Sequence, residues 1–158
     1  MKKLIIGLIV FASSLASFAQ EFNNEVEIYQ AIYGLEKTTI VEKVINIEKT
    51  DQEVFWKLYN EYEGKRKDLG QQRIELIADY AANYNDLSDE KMNELVNKSA
   101  KLQADLSKII LDYYNKINKQ TNTKVAAQFF QLEHYFLTAT RSVISEQIPF
   151  IDELNSTN

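Results

Sequence analysis

The sequence predicts an all-α domain of four helices built around a long central antiparallel hairpin, and three observations carry the prediction. Punctuation is scarce: beyond the leader the chain has three glycines (Gly34, Gly64, Gly70), a single Pro149, and no Asn-Gly or Asp-Gly pair of the kind that closes β-hairpins. Apolar residues recur at alternating three- and four-residue steps over long stretches, which is the period of a helix face. The interruptions between those stretches carry helix-capping residues rather than strand-turn residues.

The chain opens "MKKLIIGLIVFASSLASFAQ": Lys2 and Lys3, then an apolar run, then small residues Ser17 and Ala19 ahead of Gln20. This is the pattern of a secretory signal peptide over residues 1–19. The apolar run is shorter than the ~20 residues that span a bilayer. Cleavage would leave 139 residues, the size of one domain over 20–158. All 23 acidic residues remain, and the two leader lysines are lost from 18 basic ones, leaving 16 and a net charge of −7. That sign disfavours nucleic acid and an anionic membrane surface as partners, since both require a basic face. The chain holds no cysteine, so neither a disulfide nor a lipoprotein thioether is available. The expected location is therefore outside the cytoplasm, without membrane insertion once the leader is removed.

The first helix is expected over about 24–46, with Val26, Tyr29, Tyr33, Ile40, Val44 and Ile47 on one stripe. "TTIVEKVINI" is rich in β-branched residues, so its second half, residues 38–47, also admits a strand. Thr50 and Glu53 then read as a capping box that opens the second helix, about 51–85. Its stripe runs Phe55, Tyr59, Tyr62, Leu69, Leu76 and Tyr80, continuing to Leu87. "NDLSDE" breaks the pattern, with Ser88 placed as the N-cap of a third helix over 89–118 and Asp89 and Glu90 at its positive end. That helix carries Met92, Leu95, Ser99, Leu102, Leu106, Ile109 and Tyr113. The fourth, 123–148, carries Val125, Phe129, Leu132, Phe136, Ala139 and Val143 until Pro149 ends it. Residues 152–158 read as a frayed tail. The sustained heptad spacing of the hairpin invites dimerisation.

No residue set assembles into a catalytic or metal centre. His134 is the one histidine, and with no cysteine it lacks the partners a transition-metal site needs. No nucleophile with a placed base and no phosphate-binding loop is present. The prediction is a non-enzymatic protein without a cofactor.

The oddities are polar residues on apolar stripes. Arg66 and Arg73 occupy stripe positions of the second helix, and Glu133 sits among Phe129, Phe130, Phe136 and Leu137 on the fourth. One reading pairs Glu133 with Arg66 or Arg73 as a buried ion pair that fixes bundle register. A second places both arginines on an open face that grips a partner or client. A third lets their stems cover apolar surface while the heads reach water. Trp56 and Ile74 lie off the main stripe, and with Arg66 and Arg73 they form the candidate partner- or client-binding set.

Lys49-Thr50-Asp51-Gln52-Glu53 and Leu87-Ser88-Asp89-Glu90-Lys91 stand where the Spy/CpxP-type periplasmic proteins carry L-T-x-x-Q at helix starts. The first stretch lacks the leucine and both lack the final glutamine. The chain resembles that superfamily in its leader, its four helices and its long hairpin. It resembles more closely a set of secreted helical proteins of Gram-negative bacteria, through Thr50, Glu53, Phe55, Trp56, Tyr59, Glu61 and Tyr62, and through Lys124, Ala126, Phe129, Phe130, Gln131 and Glu133. The resemblance implies a cradle-shaped helical dimer in the periplasm that holds unfolded clients or acts as a stress-response adaptor. The alternative is a structural envelope-partner protein with no client.

Overall fold

A computed structural model describes residues 37–151. The predicted leader, the first half of the first helix at 24–36, and the tail at 152–158 lie outside the described residues. Among the described residues four helices are present, α1 (residues 37–44), α2 (Gln52–Asn83), α3 (Asp89–Gln120) and α4 (Thr123–Gln147), with a 3₁₀ turn, Tyr84–Asp86, closing α2. Residues 37–44 are helical, which settles the helix-or-strand alternative for that stretch. Each arm of the α2–α3 hairpin has 32 residues, a length of about 48 Å at 1.5 Å per residue. Among the described residues no helix is long and apolar enough to cross a membrane.

Local chemistry sets most of the ends. The Ser88 side chain accepts a hydrogen bond from the Lys91 amide at 3.2 Å and caps α3, with Asp89 and Glu90 in its first turn. The Asn122 side chain does the same for α4 through the Val125 amide at 3.0 Å. Helix α4 stops at Gln147, two residues before Pro149. The expected capping box at the start of α2 does not form. Asp51 occupies the cap in a helical conformation with no side-chain cap bond, and the Thr50 hydroxyl turns to the Asp51 carboxylate at 3.2 Å.

Helix α3 packs against α2 on one side and α4 on the other. Opposite α3, α1 bridges α2 and α4. Gln128 of α4 clasps its end, donating to the Val44 carbonyl at 3.1 Å and accepting from the Asn46 amide at 3.3 Å. The main core lies at this end of the bundle and is largely aromatic. Tyr62 meets Phe129 edge-on with centroids 5.1 Å apart and Tyr113 at 5.7 Å, while Phe55 stacks on Tyr59 at 5.9 Å.

The buried arcs differ from the predicted stripes at three places. In α1 the inward residues are Val41 and Ile45, and Val44 is exposed. Burial of Lys37 fixes this rotation, because positions four and eight beyond it share its face. In α3 Ile110 and Ile117 are buried and Ile109 only partly so. In α4 Val143 is exposed, and the inward positions have moved to Leu137, Thr140 and Ile144. A straight helix drifts about 20° per heptad against a strict 3.5-residue repeat, so a stripe extrapolated over several turns slides off the buried face.

Candidate functional site

The polar residues predicted on apolar stripes come together in the groove between α2 and α4, but with different partners. Glu133 is paired with Lys37, not with Arg66 or Arg73: Lys37 Nζ lies 2.8 Å from its Oε2. Both side chains are only 2 % exposed. The Tyr62 hydroxyl donates to the same Oε2 at 2.6 Å. Lys37 also reaches Glu63 Oε1 at 2.6 Å. Arg66 is committed to its own helix, its Nε and Nη2 donating to the two oxygens of Glu63 at 2.9 and 3.0 Å. The geometry explains the choice. Arg66 stands one turn beyond Tyr62 and meets Glu63 three residues away, whereas Lys37 enters from α1 between the two acids.

Two positive and two negative groups thus share one largely dry space, and their proton affinities separate. Burial raises Glu133 above the ordinary carboxylate range, with the Lys37 charge and the Lys37 and Tyr62 hydrogen bonds opposing it only in part. Glu63 ends lower than usual, since the Arg66 hydrogen bond and the Lys37 and Arg66 charges outweigh its own burial. Arg66 is raised: burial alone would lower it, and the bond and charge of Glu63 reverse that. Burial, then the neighbouring Glu133 charge, pushes the Tyr62 phenol far above its usual value, so it acts here as a donor only. Glu133 Oε1 has no hydrogen-bond partner among the described residues and is shielded from solvent.

This cluster borders a cavity of about 70 Å³ whose walls include Arg66, Arg73, Ile74, Leu106, Phe136 and Ile144. Three of the four residues predicted to bind a partner therefore face one interior space rather than an open surface. Ile74 is buried and Arg73 half-buried. Trp56 lies apart from them. It packs edge-on against Phe55 and Tyr59 at 5.3 and 5.5 Å and borders a surface cleft with Ile45, Ile47 and Gln52 at the α1–α2 connection. The exposed His134 rests on the Phe130 ring, centroids 4.4 Å apart.

Lys37 is the participant the sequence reading missed. A signal was present, since it stands four residues before Val41 and eight before Ile45, a charge on an apolar helical face. The arrangement ties α1, α2 and α4 in one register. It also leaves an anion-attracting arginine, Arg73, that has no acidic partner among the described residues. Compared with family models, with curated proteins and with solved structures, the chain has no match.

Proposed function

We propose that the chain is a non-enzymatic binding protein of the periplasm, exported through the leader at 1–19, that holds an apolar protein segment along the outer half of its hairpin. The carrying observation is the unequal packing of the two arms. The main core gathers residues from Val41 to Tyr62 and from Ile110 to Phe136. Further out, Leu69, Leu76, Ile77, Tyr80, Leu87 and Met92 are each only half-buried, and Val96 is exposed. Apolar side chains kept at a partly wet surface are ready contacts for a partner. The resemblance to Spy/CpxP-type proteins supports a client-holding or stress-adaptor role, and the net charge of −7 favours neutral or basic segments over acidic ones.

An aggregating client mixed with the protein at equimolar ratio is expected to scatter less light. Met92→Glu together with Leu76→Glu should abolish that protection while circular dichroism stays helical. Absence of protection by the native chain would end the client-holding role. A structural envelope-partner role is the second reading, favoured by the closed ion network that locks three helices together. Capture of one stoichiometric envelope protein without any effect on client scattering would select it.

A further inference from the structure

Beyond the charge cluster, a second cleft of about 230 Å³ opens between α2, α3 and α4. Two arginines line it, Arg73 from α2 and Arg141 from α4, and among the described residues no acidic side chain does. Nε and Nη2 of Arg141 are shielded from solvent and have no hydrogen-bond partner among the described residues. A stem lying on apolar surface with its whole head in water does not describe this residue, because two of its three guanidinium nitrogens are covered. Burial lowers Arg73 below its ordinary value and the Arg141 charge adds to the effect, as expected for two cations sharing a site with no counter-charge. Buried polar groups in native proteins are satisfied, so donors left over in a cleft point to an absent acceptor.

The rest of the cleft defines that acceptor. Leu76, Ile77, Leu102, Ile144 and Ile148 supply apolar wall, and Ser99, Gln103 and Ser145 supply neutral polar groups. Arg73 and Ile144 also line the neighbouring 70 Å³ cavity, which continues past Leu106 and Phe136. The space is below the ~300–1,000 Å³ of sites for drug-sized ligands, which suits one short chain and not a two-chain lipid. We propose that the Arg73–Arg141 cleft binds a single-chain aliphatic carboxylate, its two oxygens held by the guanidinium forks and its hydrocarbon chain against Leu102 and Ile144. Planar carboxylates match the two-donor edge of arginine, which favours this head over a bare halide or an uncharged polar group. The inference is independent of client holding on the outer hairpin.

Calorimetric titration of the full chain with octanoate is expected to give a saturable one-to-one isotherm and a raised melting temperature. Octanol, acetate and inorganic phosphate at the same concentrations should give neither, since each lacks the head or the chain. Arg141→Gln and Arg73→Gln, on opposite walls, are each expected to weaken octanoate about tenfold or more. Neither change should lower the melting temperature of the ligand-free chain, because each removes a cation that has no partner. Octanoate binding unaltered in both variants, octanol binding as well as octanoate, inorganic phosphate binding as tightly, or no octanoate isotherm at all would each overturn the assignment.

Discussion

Lys37 Nζ lies between two carboxylates and over three aromatic rings, 5.0 Å from the Phe136 centroid, 5.5 Å from Tyr62 and 5.7 Å from Tyr59. Its removal strands Glu133 as a buried charge, and Lys37→Met is expected to cost about 3–5 kcal/mol in chemical unfolding. Glu133→Gln should cost far less, under about 1 kcal/mol, because burial already disfavours the ionised form. The double variant should be more stable than Lys37→Met alone, and a double variant as unstable as the sum of the singles would contradict this. The pH dependence has a defined sign. With Glu133 raised, the folded chain binds that proton more tightly than the unfolded chain. Its contribution is therefore present below the usual value of 4.5 and lost as pH rises through the folded value. Glu63, held low, contributes stability that is present above 4.5 and lost as pH falls through its folded value. The two act in separate windows. The melting deficit of Lys37→Met should thus shrink as pH is lowered toward the usual carboxylate value of 4.5, and a deficit that does not change with pH would count against a charged, stranded Glu133. Burial of Glu133 was legible in the sequence from its place among phenylalanines. Its partner was not, because two stripe arginines and one lysine are equivalent cations until the fold sets their distances, and the actual pair is 96 residues apart.

Among the elements, α2 carries an avoidable cost. Gly64 lies exposed in mid-helix, and an added Cβ meets nothing within 4 Å. Gly64→Ala is expected to stabilise the chain by about 0.5–1 kcal/mol, read as a higher midpoint in urea at unchanged slope. Ser88→Ala should cost about 1 kcal/mol through loss of the α3 cap, whereas Thr50→Ala should leave stability within a few tenths, since its box never forms. The contrast shows which local signals are readable. Ser88 adopts the extended backbone that a cap requires, whereas the 48–51 turn puts Asp51 in a helical conformation and takes Thr50 out of reach. The helix limits at Ser88, Asn122 and Pro149 follow from single residues. The exact inward arcs do not, since rotation is settled by neighbours: the burial of Lys37 turned α1, and accumulated drift moved Val143 outward.

In the whole molecule, the all-α hairpin was legible because helical period and the lack of turn pairs agree along the entire chain. What the sequence concealed was the uneven depth of packing. Amides around Tyr62, Tyr113 and Phe129 are expected to exchange only by global unfolding, while those in 76–82 and 92–100 exchange sooner through partial opening of the outer arm. Hydrogen-exchange mass spectrometry reads this directly, and uniform protection along α2 would oppose it. The outer arm is not left free: the Tyr80 and Tyr84 hydroxyls donate to the carbonyls of Pro149 and Phe150 at 2.9 and 2.6 Å. Substituting both by phenylalanine should speed exchange there without touching the core end.

The Lys37–Glu133 pair also has a consequence for the order in which the chain becomes available. Helix α1 is made early, yet one of its two buried counter-charges arrives 96 residues later, on the last helix. A ribosome that has released only α1, α2 and α3 has released a lysine whose socket is half built. The hairpin can zip as it emerges, but the first helix cannot seat until α4 has followed. The register of this protein is thereby fixed by its final stretch, and α1 stays unseated after the hairpin has closed.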